Sequence, residues 1–202
     1  AEQRAEIEPL VTTQGFGGVP YKTVFITQAD REDINSLEDL EDRSFAFVDP
    51  GSSSGYIYPK VTLVQDLGLD PERVEDPGYF FETATYSGRH DASVMGVLMG
   101  DYDAAAVAYA LIPMMSDAGA IDADDLKIIA ETPKIPNPLY IVRAGFDDEL
   151  KEQVREFYLN YDNPDYFEAV HGDANTRYVP VESDDYKIIY DLVELLGITE
   201  EL

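Results

Sequence analysis

The apolar positions of this chain change period many times along its length, and each change marks an element. Tyr21–Thr27 (YKTVFIT) alternates as a half-buried strand does, while Phe45–Val48 and Asp103–Ala108 are continuous short apolar runs suited to strands covered on both faces. Leu10–Thr13, Phe80–Thr85, Leu126–Glu131 and Leu139–Arg143 complete the predicted strands. Helical spacing fills the intervals. Ser54–Leu67 carries Pro59 in its first turns, where a missing N–H costs least, and stops at Gly68. Ala92–Met99 stops at Gly100 and Leu111–Ala118 at Gly119. In Asp147–Asn160 the residues Leu150, Val154, Phe157 and Tyr158 recur at i, i+4, i+7 and i+8, so all four are expected to be buried. A short helix starts at Asn163-Pro164, and a last one, Asp184–Leu196, stacks Tyr186, Ile189, Tyr190 and Val193.

The remaining stretches read as connections or weaker elements. Residues 1–10 suggest the end of a helix stopped by Pro9, and Gln14–Pro20 is a glycine-rich loop. Asp30–Asp42 reads as helical, with Ser36 as N-cap and Asp39 as its capping-box partner. Ile135–Pro138 is extended, because a residue before proline is pushed out of the α region. Strands alternating with helices over short connectors predict an α/β fold with a mostly parallel sheet.

With 202 residues, 45% of them hydrophobic, the chain can bury a sizeable core. No apolar run approaches the length of about 18 residues that suggests a membrane span. No export signal is present in this chain, which opens in what reads as mid-helix. Charge changes the picture more: 41 acidic against 14 basic residues give a net charge of −27, spread over helices and loops. That excludes nucleic acid as an expected partner and reads as an adaptation to concentrated salt, where a Debye length of about 3 Å at 1 M screens self-repulsion. There is no cysteine, and the two histidines, His90 and His171, fit no metal-ligand spacing, so no cofactor or metal is expected.

Candidate chemistry gathers at Ser44–Pro59, SFAFVDPGSSSGYIYP. A strand there meets a tight turn and then a helix start, whose first N–H groups lack internal partners and sit at the positive end of the helix dipole. Ser52, Ser53 and Ser54 add three hydroxyls, which makes an anion cradle. His90 opens the helix after the next strand, and in an open α/β sheet ligands bind beyond the carboxyl ends of strands. The bland reading is that the serines are caps and turn residues and that His90 is a satisfied surface or capping histidine. GSSSG also fits G-x-S-x-G, with Ser53 as a hydrolase nucleophile and His171 completing a triad, but no HGGG-type oxyanion segment accompanies it. His171 by itself reads as exposed, Tyr79-Phe80-Phe81 as core, and Arg89 as the partner of a local carboxylate.

The runs FAFVDPGSSSGYIYPKVTLVQDLGLDP, SGRHDASVMGVLMGDYDAAAVA and LKIIAETPKIPNPLYIVRA, in that order, resemble the phosphonate/phosphite-binding (PhnD-like) solute-binding proteins of ABC transporters. The resemblance covers nearly the whole chain. It implies a type II periplasmic-binding-protein fold of two α/β lobes that close on ligand by a hinge, with residues 1–28 and 138–202 a remnant of an incomplete first lobe and 29–137 an intact second. It implies that Ser52, Ser53 and Ser54 match the family's hydroxyl-bearing phosphonate turn, that His90 binds the same oxyanion, and that Tyr21 and Asn137 contribute ligand contacts. Family members that bind aminoalkylphosphonates carry acidic groups for the ligand amine; Ala110 and Asn137 stand at the corresponding positions, which favours phosphite, methylphosphonate or phosphate. The implied partners are this small phosphorus oxyanion and an ABC permease. The membrane is met only through the transporter or an N-terminal anchor outside this chain, and the implied location is extracytoplasmic, periplasmic or anchored at the cell surface. Dimerisation through the incomplete lobe is possible on the same grounds. The function expected is therefore binding for import and not catalysis; a serine hydrolase built on Ser53 and a ligand-sensing domain of the same fold are the alternatives.

Overall fold

The computed structural model describes residues 7–14, 19–181, 186 and 192. The chain divides into two compact units, one formed by residues 1–21 and 136–187, the other by 22–135 and 188–202.

The larger unit is built on a five-stranded sheet. Its strands are β2 (Thr23–Gln28), β3 (Ser44–Phe47), β4 (Thr83–Tyr86), β5 (Ala104–Ala108) and β6 (Leu126–Glu131), and their order is β4-β3-β5-β2-β6. Helix α1 (Tyr58–Leu67) lies between β3 and β4, α2 (His90–Met99) between β4 and β5, and α3 (Leu111–Asp117) follows β5. Alternation along the strands feeds two cores. Val24, Ile26, Ala46, Ala105 and Val107 meet Val94 and Val97 of α2 and Ile112 of α3. On the other face Phe45 stacks on Phe81 at 4.6 Å between ring centroids and Phe25 lies 6.1 Å from Phe45. Both faces are therefore covered, and β2, predicted from its alternating pattern, is buried from Thr23 through Thr27. Phe80 and Phe81 are core, as expected, although they precede β4 and do not belong to it.

The sheet is mixed where a mostly parallel one was expected. β3 is parallel to β4 and β5, the strands that the α1 and α2 crossovers connect, whereas β2 is antiparallel to both β5 and β6. Parallel pairing follows from a helical return, and no α-helix joins β2 to β3. Residues 30–42, expected as a helix, hold only the 3₁₀ turn Glu38–Leu40. Asp39 does accept from the backbone N–H of Asn35 and Ser36, at 2.8 and 3.1 Å, so the cap forms without the helix it was expected to start.

The smaller unit has a three-stranded antiparallel sheet, β7-β1-β8, with β1 (Ile7–Gln14) between β7 (Leu139–Arg143) and β8 (Arg177–Val179). Here Pro9 sits inside a strand and ends no helix. It lies beside a register shift, and β8 pairs only from Thr12 onward, so the missing N–H breaks no ladder on that side. Helices α4 (Asp148–Asn160) and α5 (Pro164–His171) start at Asp147 and Asn163, whose side chains accept from Leu150 and Tyr166 N–H. Val154 and Tyr158 pack on Leu10, Val11, Phe167 and Tyr178. Leu150 and Phe157, expected inside, are 45% and 62% exposed, because a three-stranded sheet is too narrow to cover more than one stripe of α4. The predicted helix 184–196 lies outside the described residues apart from Tyr186 and Leu192. Among the described residues no helix is long and apolar enough to cross a membrane.

Candidate functional site

After β3 the chain turns at Asp49, whose carboxylate accepts from Gly51 N–H at 2.9 Å while its carbonyl accepts from Ser52 N–H at 2.9 Å. Ser52 then caps the helix: its Oγ accepts from Gly55 N–H at 3.0 Å. The capping reading of this serine is thus correct, and its hydroxyl proton is still available to donate. The Ser52 carbonyl accepts from both Tyr56 and Ile57 N–H at 3.0 Å, and the five-residue spacing opens a π turn, Ser53–Ile57, ahead of α1.

Two strands hold this turn in place. Val48 N–H donates to the Gly55 carbonyl at 2.9 Å, and Thr23 Oγ1 of β2 donates to the Ser54 carbonyl at 2.6 Å. The approach is so close that a Cβ on Gly55 would lie 2.4 Å from Val48 Cβ, so only glycine fits. Thr23 is a site residue that sequence reasoning missed; a buried threonine opening an apolar strand gives no signal of what its hydroxyl meets.

The second arm extends β4. Ser87 and Gly88 N–H donate to the carbonyls of Phe47 and Val48 at 2.9 and 2.8 Å, which carries the chain along the end of β3 to His90, the first residue of α2. His90 Nδ1 accepts from Ala108 N–H at 3.1 Å, and Nε2 lies 3.2 Å from Ser54 Oγ. A backbone N–H can only donate, so Nδ1 is the bare nitrogen and the proton sits on Nε2, which donates to Ser54. Burial lowers the His90 pKa against a weaker opposing pull from Asp91, which keeps the ring neutral. The result is a chain of donors from a backbone amide through imidazole to the Ser54 hydroxyl, beside the helix start that carries Ser52 and Ser53. Arg89, as expected, pairs with a local carboxylate: its guanidinium meets Asp91 at 2.9 and 3.0 Å.

This geometry does not suit a hydrolase. The histidine meets Ser54 and not Ser53, and with its proton on Nε2 it cannot take one from the serine. His171, expected to be exposed, is half-buried at the end of α5, with the rings of Tyr166, Phe167 and Tyr178 centred 5.9–6.4 Å away. The aromatic floor of its small unit leaves little room for solvent there.

Tyr21 and Asn137 belong to the smaller unit. Tyr21 is half-buried, just ahead of β2. Asn137 binds inward, donating from Nδ2 to the Thr13 carbonyl at 2.7 Å, and its own carbonyl accepts from Tyr186 Oη at 2.6 Å. Among the described residues no group of three His, Asp or Glu side chains is arranged to hold a metal ion.

Comparison with known proteins supplies what geometry alone does not. The family model described as "ABC transporter, phosphonate, periplasmic substrate-binding protein" matches residues 1–186. The chain is 26% identical to the "Phosphate-import protein PhnD" of Mycolicibacterium smegmatis, over 96% of this chain and 64% of that protein. It is 24% identical to the "Phosphonates-binding periplasmic protein" of Escherichia coli, over 80% of this chain and 46% of that protein. The chain therefore spans between about half and two thirds of the length of these relatives. Among solved structures, PhnD1 from Prochlorococcus marinus in complex with methylphosphonate superimposes with a TM-score of 0.77 at 20% identity, covering 95% of this chain and 72% of that one. The likeness shows that the fold is that of a periplasmic binding protein.

Proposed function

The chain belongs to the family of periplasmic substrate-binding proteins of phosphonate ABC transporters, and from that premise we propose that it is the receptor of an importer, binding a small phosphorus oxyanion without transforming it. The observation that carries the reading is the His90–Ser54 pair, tied at its far end to Ala108 N–H and placed beside the Ser52-capped helix start. Ser52, Ser53, Ser54 and His90 are the assigned ligand-binding residues. Tyr21 and Asn137 stay as candidates on the family's pattern alone.

The donor set suits a phosphonate or phosphate ion. Hydrogen bonds to an ionised acceptor contribute about 1.5–3 kcal/mol each, and several of them, less the entropic cost of association, reach micromolar affinity or better. Ala110 and Asn137 offer no negative charge for a ligand amine, which favours phosphate, phosphite or methylphosphonate over an aminoalkylphosphonate. Relatives that import phosphate and bind phosphonates agree with this class. In this reading the smaller unit belongs to the first lobe and the larger unit forms the second, so β2, paired with β5 and β6, falls in the second lobe and not in the expected remnant 1–28. The receptor works outside the cytoplasm, delivers its ligand to an ABC permease, and is adapted by its charge of −27 to concentrated salt.

Calorimetric titration in about 2 M KCl, where the Debye length is only a few ångströms, with phosphate, phosphite, methylphosphonate, aminoethylphosphonate and sulfate tests the proposal. Binding of at least one phosphorus oxyanion, weakened tenfold or more by Ser54→Ala or His90→Ala, is expected. Failure to bind any of them overturns the assignment.

A further inference from the structure

The loop of residues 68–82, between α1 and β4, sends one carboxylate back to the end of the sheet. Glu75 Oε1 accepts from Tyr56 Oη at 2.5 Å and from Lys60 Nζ at 2.7 Å, and Glu75 Oε2 accepts from Tyr86 Oη. Lys60 also donates to Tyr56 Oη at 2.9 Å. The two phenols come from different arms of the candidate site. Tyr56 lies within the π turn that carries the serines, and Tyr86 is the last residue of β4, four positions before His90. One carboxylate thus takes a hydroxyl from each arm, one on each oxygen.

Packing reinforces the bridge. The rings of Tyr56 and Tyr86 are 5.8 Å apart, and Phe47 meets them at 5.3 and 6.3 Å. Burial and the neighbouring charge of Glu75 raise both phenol pKa values, so both remain protonated donors. For Glu75 itself burial acts upward, but Lys60 and the phenols outweigh it and hold the carboxyl below its ordinary range. The carboxyl of Glu75 therefore stays ionised and the two tyrosines neutral across physiological pH.

A buried ion pair adds little net stability compared with apolar packing, and Tyr86 is 42% exposed, so stability alone does not account for three polar side chains converging on one carboxylate. What they supply is direction. The serine turn and the His90 arm are each hydrogen-bonded to Val48 and meet side chain to side chain at the 3.2 Å contact between Ser54 and His90, which a change in their spacing would lengthen or break.

We propose that Glu75 is a positioning residue that fixes the spacing of the serine turn and the His90 arm, and through it the affinity for the phosphorus oxyanion. This rests on the ligand class assigned above. Neither Glu75 nor the tyrosines need touch the ligand; Glu75 acts through Tyr56 and Tyr86.

Tyr86→Phe and Tyr56→Phe remove one hydroxyl each and leave the Lys60–Glu75 pair intact, which makes them safer probes than Glu75→Gln, where Lys60 stays buried without its counter-charge. Affinity for inorganic phosphate and for methylphosphonate is measured in about 2 M KCl, together with the ring nitrogen resonances of His90 and the melting temperature. Each Tyr→Phe variant is expected to weaken binding about fivefold or more, the double variant to be non-additive, and the His90 resonances to move although neither tyrosine touches that ring. Unchanged affinity, or lowered melting with the His90 resonances unmoved, overturns the proposal. If the unaltered protein binds none of the anions, the ligand assignment fails; the His90 resonances of the variants then decide the bridge on their own.

Discussion

Replacing Gly55 with alanine is the sharpest perturbation of the serine turn. The added Cβ would lie 2.4 Å from Val48 Cβ and 2.6 Å from Val48 Cγ2, both on a strand end and unable to swing aside. Ordinary contact begins near 3.4 Å, so turn and strand must part by about 1 Å. That movement breaks or stretches the 2.9 Å bond from Val48 N–H to the Gly55 carbonyl and the 3.0 Å bond from Gly55 N–H to Ser52 Oγ, and it carries Ser54 away from His90. Overpacking of this kind costs about 1–3 kcal/mol, and each lost hydrogen bond about 1 kcal/mol more. A loss of about 3–5 kcal/mol of stability is therefore expected, together with affinity for phosphate or methylphosphonate lowered about 30-fold or more, since a displacement of about 1 Å is large against hydrogen-bond tolerance. Urea unfolding and calorimetric titration measure the two effects. Gly51→Ala is the control: its Cβ meets only Asp49 Oδ1, at 3.3 Å, and both quantities should stay close to those of the unaltered protein. A Gly55→Ala protein that binds within twofold of the original refutes the claim that this close approach shapes the site.

Three further outcomes are expected. Ser52→Ala loses the N-cap and with it about 0.5–2 kcal/mol of stability as well as affinity, whereas Ser53→Ala lowers affinity alone; equal melting temperatures for the two would contradict the division. His90 and His171 have folded-state pKa values lowered by burial, so as pH falls through their ordinary value of about 6.5 the unfolded chain takes up protons that the folded chain refuses. Stability should be flat above about pH 7.5 and fall between about 6.5 and 5.5, before the carboxylates titrate; His90→Gln should lessen that slope, and an unaltered slope removes His90 from it. With a net charge of −27, raising KCl from about 0.1 to 2 M should lift the melting temperature by about 5 °C or more, and a flat response argues against salt adaptation.

The sheet and its helices were legible because periodicity and punctuation are local: FAFV and AAAVA sit where the strands run, and Gly68 and Gly100 close α1 and α2 in left-handed conformations. What misled was any reading that needed to know the neighbours. Pro9 looks like a helix stop until β1 is seen to pair there with β7 alone, β8 joining only from Thr12, and Leu150 and Phe157 continue a stripe that the narrow sheet cannot cover. At the candidate site the serines and His90 were visible as residue types. Their roles depended on Thr23 and on Ala108 N–H, and a main-chain amide leaves no mark in a sequence. Glu75 was invisible for another reason: in a chain with 41 acidic residues, nothing distinguishes the one that bridges two arms.

That excess of acid also bears on the donors open to the proposed anion site. In the larger unit Lys22, Arg31, Arg43, Lys60, Arg73 and Arg89 are each held in an ion pair with a carboxylate. A cation committed in this way has little charge left to offer a ligand, and in concentrated salt its longer-range attraction would be screened in any case. Neutral donors do not suffer either loss. The serine hydroxyls, with Ser54 held by the Nε2 proton of His90, and the N–H groups at the helix start would act over about 3 Å, a distance that salt does not screen away, and they need no counter-charge to stay buried. Their weakness is geometric, because a hydroxyl turned or moved by an ångström gives up most of its bond. A site of this type therefore depends on how firmly its backbone is held. Thr23 holds the Ser54 carbonyl, Val48 the Gly55 carbonyl and Ala108 the His90 ring, so in the proposed site the rigidity of the sheet's end would do for an anion what a lysine or arginine would do in a less acidic chain.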